Sequence, residues 1–303
     1  MSSRPFLLSA LVLLLGLGSS FAPAQAQLAE LVADLNQFVT PFPEVVSIGG
    51  YAGPIMGGRL FFSARTPGTG WEVWTTDGSA KGTRMLGDFC PGRCPIDGPP
   101  HLVVVGERVL WRSPVDLFRG FDEFALWSSD GTDAGTEMLL GPQEAVLVPL
   151  VGAEIAGAFV FPTEDELWRT DGTRAGTVRL AVGTPTAREF TPVGSEILFL
   201  TGTDLWATDG TAAGTRQIND LPGLVLPQTL RNTGRRLFLT ETTQGADRLW
   251  SSPPDGSSFQ PVAGLNAEVR PHPGLPKVVG DEVFVTAFRQ DTGEELWRTD
   301  GTA

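Results

Sequence analysis

The stretch DELWRTDGTRAGT, Asp165 to Thr177, decides how the rest of the chain is read, because near copies of it stand at five other places. Each copy carries a tryptophan at the same point: Trp74, Trp127, Trp168, Trp206, Trp250 and Trp297, at spacings of 53, 41, 38, 44 and 47 residues. Periods of this length belong to propeller blades. In five copies an Asp-Gly begins three residues after the tryptophan, at Asp77, Asp130, Asp171, Asp209 and Asp300, and in four a second glycine follows four residues later, at Gly82, Gly135, Gly176 and Gly214. The fifth copy, RLWSSPPDGSSFQPV, has two more residues before Asp255-Gly256.

Working outward, each tryptophan is preceded by a second recurring string (GGRLFFSA, GERVLWRS, GAFVFPT, SEILFLT, GRRLFLT, DEVFVTA), and most of these by a short apolar run such as HLVVVG or PKVVG. After the second glycine comes TRMLGDF, TEMLLGP, TVRLAVG or TRQINDL. Each unit therefore reads as four short strands, A to D, separated by turn residues. Strand B is apolar at successive positions (Leu60, Phe61, Phe62), so both of its faces need cover. Small four-stranded sheets stacked between neighbours in a ring supply that cover without long free edges. A two-sheet sandwich of this length would not give so regular a repeat. The fold class expected is all-β, a β-propeller of six four-stranded blades over residues 27–303, with the fifth repeat degenerate.

The chain stops inside the sixth motif, at LWRTDGTA, and AELVADL (Ala29 to Leu35) aligns with TRQINDL and TRMLGDF. The expectation is that a strand at about 28–35 completes the last blade and closes the ring; a longer protein with a seventh blade or a further domain is the alternative.

At ELWRTDGT (Glu295 to Thr302) and DLWATDGTAAGT (Asp204 to Thr215) the chain resembles the bacterial ELWxxDGT repeat family, and LFFSA (Leu60 to Ala64) and LVADL (Leu31 to Leu35) resemble the same consensus. The resemblance covers essentially everything after the first 26 residues. It implies exported or surface proteins with a propeller-like fold and no established catalytic residue or cofactor. The chain departs from the pattern at SSPPDGSSF (Ser251 to Phe259), and the expectation is of a form without the C-terminal anchoring or sorting extension that many such proteins carry.

Residues 1–26 place Arg4 before an apolar run, Phe6 to Leu17, and small residues ending at Ala24-Gln25-Ala26, which is the layout of a secretory signal cleaved near Ala26. The run is too short to span a bilayer, and no later segment is long enough. Export to the periplasm or the outside is expected, with no membrane insertion and a monomer as the simplest state. Loss of this segment removes one arginine and no acid, moving the formal charge from -13 to -14. Such a surface repels phosphate backbones, so no nucleic-acid partner is expected. Cys90 and Cys94, in CPGRC, are the only cysteines; an exported close pair most simply forms one disulfide, with free thiols the alternative.

The motif reads as scaffold. Asp-Gly is a strong hairpin signal because the glycine accepts positive φ and the aspartate bonds its own backbone two residues on. The second glycine suits a position where a side chain would clash. One carboxylate per turn falls far short of a calcium site, and two thiols and two distant histidines, His101 and His272, do not make a zinc site. No metal and no cofactor are expected. Each tryptophan is expected to fill the gap between blades. Function is then sought where the repeats differ, in the B–C and D–A loops, which bring Trp71, Arg119, Asp122, Glu123 and the disulfide loop to one face.

Two classes of function remain. One is a non-catalytic exported scaffold that binds a protein, glycan or envelope partner through that loop face. The other is a secreted carbohydrate-active hydrolase or lyase on the same fold. A sialidase-like mechanism needs a tyrosine nucleophile, and Tyr51 is the only tyrosine. Acid pairs such as Asp122-Glu123 and Glu164-Asp165-Glu166 leave a two-carboxylate mechanism open. The scarcity of histidine weighs against a serine triad.

Overall fold

The structure, a computed structural model, describes residues 53–66, 69–89, 100–114, 124–141, 150–184, 187–220, 227–241, 248–262, 269–271, 276–290 and 293–302, without the side chains of 219–220 and 269–271. The signal segment, the strand expected at 28–35, Cys90, Cys94, Arg119, Asp122 and Glu123 lie outside the described residues.

Every regular element among the described residues is a strand, and the strands form six antiparallel sheets in chain order. Sheet 1 takes β1 (Ile55–Met56), β2 (Arg59–Thr66), β3 (Gly70–Thr76) and β4 (Arg84–Met85). Sheet 2 takes β5 (Val103–Val105), β6 (Arg108–Pro114), β7 (Phe124–Ser129) and β8 (Glu137–Leu140). Sheet 3 follows with β9 (Ala153–Ile155), β10 (Ala158–Pro162), β11 (Glu166–Thr170) and β12 (Val178–Val182). Sheet 4 has β13 (Arg188–Val193), β14 (Glu196–Thr201), β15 (Asp204–Thr208) and β16 (Arg216–Asp220), and sheet 5 has β17 (Pro227–Asn232), β18 (Leu237–Glu241), β19 (Arg248–Ser252) and β20 (Gln260–Pro261). Each of these five is an A–B–C–D meander with the motif tryptophan in the third strand. Sheet 6 differs. β24 (Gly293–Thr299) pairs with β23 (Glu282–Arg289) along its whole length, so β21 (Val269–Pro271) and β22 (Lys277–Val279), which also pair with β23, share its other edge as two halves of one interrupted strand.

The register assigns a face to each side chain. At each of the five interfaces between consecutive sheets the residue before the tryptophan of one sheet points toward the next sheet, and the tryptophan of that next sheet points back toward it, because successive side chains alternate. Leu126 of sheet 2 thus shares a core with Phe159, Phe161 and Trp168 of sheet 3. Leu167 of sheet 3 meets Ile197, Phe199 and Trp206 of sheet 4, Leu205 of sheet 4 meets Leu237, Leu239 and Trp250 of sheet 5, and Leu249 of sheet 5 meets Val283, Val285 and Trp297 of sheet 6. Between sheets 1 and 2 the same place is taken by Val73, facing Val109, Trp111 and Trp127. Five interfaces are thus built to one plan, and second strands such as Leu237-Phe238-Leu239 are buried on both faces.

The division of labour within the motif differs from the expectation. The six tryptophans are only half-buried, whereas Leu126, Leu167, Leu205 and Leu249 are at most 1% exposed. The leucine is enclosed completely, whereas the indole packs against an inter-sheet core with part of its ring exposed, although the Nε1 atoms of Trp74, Trp127, Trp206 and Trp297 are buried. A second feature is invisible in the repeat pattern. The third and fourth strands slip register between Leu126 and Trp127, Leu167 and Trp168, and Leu205 and Trp206. The extra residues, Leu139, Leu180 and Ile218, sit in β-bulges on the fourth strand and join the cores of the forward interfaces.

The two ends of the stack are not alike. In sheet 6, Val283, Val285 and Ala287 are buried against sheet 5, but the opposite face leaves Phe288 48% and Leu296 69% exposed. The described residues do not show the sheets closing into a ring.

Candidate functional site

The Asp-Gly hairpins, expected to be scaffold, have a geometry that is internal. Asp171 Oδ1 accepts hydrogen bonds from the Thr173 backbone N–H (2.8 Å) and hydroxyl (2.7 Å). The Thr173 hydroxyl oxygen in turn accepts from the Gly176 N–H (3.0 Å), and Thr177 donates its hydroxyl to the Thr173 carbonyl (2.7 Å). The Thr170 and Thr177 hydroxyls, 2.7 Å apart, pin the base of the turn. The same circuit recurs through Asp77–Ser79, Asp130–Thr132 and Asp209–Thr211, and its opening half at Asp300–Thr302.

Each glycine has a separate reason. Gly172 has φ +90, which other residues rarely adopt. Gly176 has no such φ; a Cβ there would stand 2.1 Å from the Asp171 carboxylate, which lies across its Cα. The same near-collision is found between Gly82 and Asp77, Gly135 and Asp130, and Gly214 and Asp209. The hairpins also join sheets. The Gly131 carbonyl accepts from Arg84 (2.5 Å), Gly172 from Ser128 (2.6 Å), Gly210 from Arg169 (3.1 Å) and Gly301 from Ser251 (2.9 Å), the donor lying in the preceding sheet each time. Gly78, in sheet 1, is exposed with nothing within 4 Å of where a Cβ would be.

These contacts keep the motif acids ionised. The hydroxyl of the next residue but one holds Asp77, Asp171, Asp209 and Asp300 below the ordinary carboxylate value of 3.8. At Asp130 the largest single influence is burial, which pushes upward, but the Thr132 hydroxyl and backbone bonds together outweigh it. A carboxylate so held is a poor proton donor at neutral pH. Among the described residues, no three His, Cys, Asp or Glu side chains are grouped to hold a metal ion.

Of the loop-face residues, Trp71 alone is described: it starts the return of the sheet 1 B–C turn, opposite Arg65, and is half-buried. Arg119, Asp122 and Glu123, the other residues expected on that face, lie outside the described residues.

A concave site appears elsewhere, at the A–B and C–D end of sheets 4 and 5. It is a cleft of about 450 Å³, lined by Val193, Glu196, Leu198, Arg216, Gln217 and Ile218 of sheet 4 and by Pro254 and Asp255 of the fifth hairpin. Between sheets 1 and 2 the corresponding space is spanned by Arg84, which pairs with Asp133 as well as with the Gly131 carbonyl. Between sheets 2 and 3, Arg174 of the hairpin reaches the Met138 carbonyl (3.1 Å). The fifth hairpin has Ser258 at that position, as the fourth has Ala212, and Arg216 pairs within its own sheet with Glu196 in a two-pronged pair (2.6 and 3.1 Å) that raises its already high pKa. In this hairpin, with Gln260 in place of the second glycine, the exposed Asp255 carboxylate keeps the Ser257 N–H bond (3.0 Å) as the principal one lowering its pKa. The departure at SSPPDGSSF marks the hairpin that lines this cleft through Pro254 and Asp255, although nothing in the repeat pattern pointed to a cavity there.

No protein-family model and no curated protein matches the chain. Among solved structures it is similar to puromycin hydrolase, at 14% identity and a TM-score of 0.41 over 84% of this chain and 50% of that one. It is also similar to TolB from Acinetobacter baumannii, at 13% identity and a TM-score of 0.33 over 81% and 66% of the two chains. The chain spans half the length of puromycin hydrolase.

Proposed function

We propose that this is an exported, non-catalytic repeat propeller of the ELWxxDGT kind that serves as a scaffold for a protein or glycan partner. The observation that supports this is the internal use of the repeated polar residues: in each Asp-Gly-Thr turn one carboxylate oxygen accepts from the backbone N–H and hydroxyl of the threonine, and the glycine carbonyl accepts a hydrogen bond from the sheet before it. Architecture thus consumes the motif, and recognition falls to the turns that vary. Binding of the purified protein to a panel of polysaccharides and envelope proteins, without turnover, is the expected result. Turnover abolished by changing one loop carboxylate would replace this reading with that of a carbohydrate-active enzyme.

The same reading includes a closed six-bladed ring, with residues 28–35 adding the fourth strand to sheet 6. Support comes from complementarity: the exposed Leu296 is the forward half of the plan seen at five interfaces, and the open Gly78 is the backward half. If the ring closes, Leu296→Ala costs about 2–5 kcal/mol, as at a buried leucine. A cost below about 0.5 kcal/mol, the usual surface value, would refute closure.

A further inference from the structure

We propose that the cleft between sheets 4 and 5 binds an alkylammonium group, its aliphatic stem against the apolar walls and its charged end at Asp255. This names a ligand chemistry for the scaffold reading and rests on it.

Three features select that chemistry. The first is the lining: Val193, Leu198 and Ile218 belong to the hydrophobic cluster shared by sheets 4 and 5, so the floor of the cleft is continuous with the core, and Pro254 forms the opposite wall. A volume of about 450 Å³ falls in the range of small-ligand sites. The second is charge. Arg216 is spent on Glu196 and on the Gly214 carbonyl (3.2 Å), and it also lies in the field of Asp209. Glu196 thus balances Arg216 within the lining, and Asp255 on the far wall has no ion pair of its own among the described residues, so the unbalanced charge that meets an incoming group is negative. The third is the absence, among the described residues, of three grouped acids or other metal ligands, which favours an organic cation with an extended stem over a bare metal ion. A lysine side chain reaching from a partner protein and a free polyamine share this chemistry.

The test uses the purified protein with 1,5-diaminopentane, 1-pentanol and pentanoate, followed by calorimetry and by the backbone amide signals of Ile218 and Asp255. Diaminopentane is expected to bind and to shift those two signals, and the alcohol and the carboxylate are not. Asp255→Asn should weaken binding at least fivefold, while Asp77→Asn, in the first hairpin, should leave it unchanged. Equal weakening by both variants would reduce the effect to attraction by the acidic surface and overturn the proposal. So would absence of binding, or shifts confined to other residues. Because the signal shifts are read on the unaltered protein, a variant that fails to fold does not remove the test. A Gly-Lys-Gly peptide that binds more tightly than the diamine would assign the cleft to a protein side chain, and the reverse order to a free polyamine. Failure here together with partner binding in the panel would remove the cleft and leave the scaffold reading standing.

Discussion

Gly176→Ala tests the account of the repeat most directly, because the structure attributes the glycine to one neighbouring group. A Cβ at 176 would lie 2.1 Å from Asp171 Cγ and Oδ1 and 2.2 Å from Oδ2, so the carboxylate has to swing away. It then loses its bonds to the Thr173 N–H and hydroxyl at 2.8 and 2.7 Å. Hydrogen bonds to charged groups contribute about 1.5–3 kcal/mol each. Asp171 is exposed and water replaces part of this, so about 2 kcal/mol in total is a fair expectation. The decisive measurement is a double-mutant cycle by urea unfolding, with midpoints compared at constant m. In an Asp171→Ala background the obstacle is gone and Gly176 has no positive φ, so the same Gly176→Ala change should be neutral or should stabilise by about 0.4–1 kcal/mol through the unfolded chain. If Gly176→Ala costs as much with Asp171 removed as with it present, the carboxylate is not the reason for the second glycine and the account of all four copies fails.

Further expectations concern packing, pH and surface pairing. Leu167→Ala should cost about 2–5 kcal/mol, because the leucine is fully buried between sheets 3 and 4, and Trp168→Ala should cost no more. A tryptophan cost twice that of the leucine would return the wedge role to the indole. The motif carboxylates have pKa values below 3.8, so their contribution is complete above that pH and is lost as pH falls through the lowered folded values. Urea midpoints should therefore hold between pH 6 and about 4.5 and drop toward pH 2.5; a midpoint that rises on acidification would contradict the hairpin circuit. Arg84→Ala removes a largely exposed ion pair with Asp133 and should cost at most about 1 kcal/mol. A loss above 2 kcal/mol would show that the bridge from sheet 1 to sheet 2 is dry in solution.

How much of this was legible in the chain depends on the range of the interaction involved. The four strands of each unit and the place of each turn follow from neighbours in sequence: Asp-Gly favours a hairpin whatever surrounds it, and Phe61-Phe62 or Leu198-Phe199 needs cover on both faces wherever it lies. The need for a second glycine was also legible, although its cause, the carboxylate five residues earlier, was not. The slip at Leu167/Trp168 and the bulged Leu180 were hidden, because a bulge is a relation between two strands and leaves no gap in the repeat.

The sequence by itself determined the unit, its number of copies and its turns, since period, punctuation and apolar pattern are local properties of the chain. Only the tertiary structure decided which member of the Leu-Trp pair is buried, that Arg84 crosses to the next sheet while Arg216 turns back, and that a cleft opens beside Asp255. These outcomes depend on which groups the neighbouring sheet presents across the interface, and that relation between two units is not written in any one repeat.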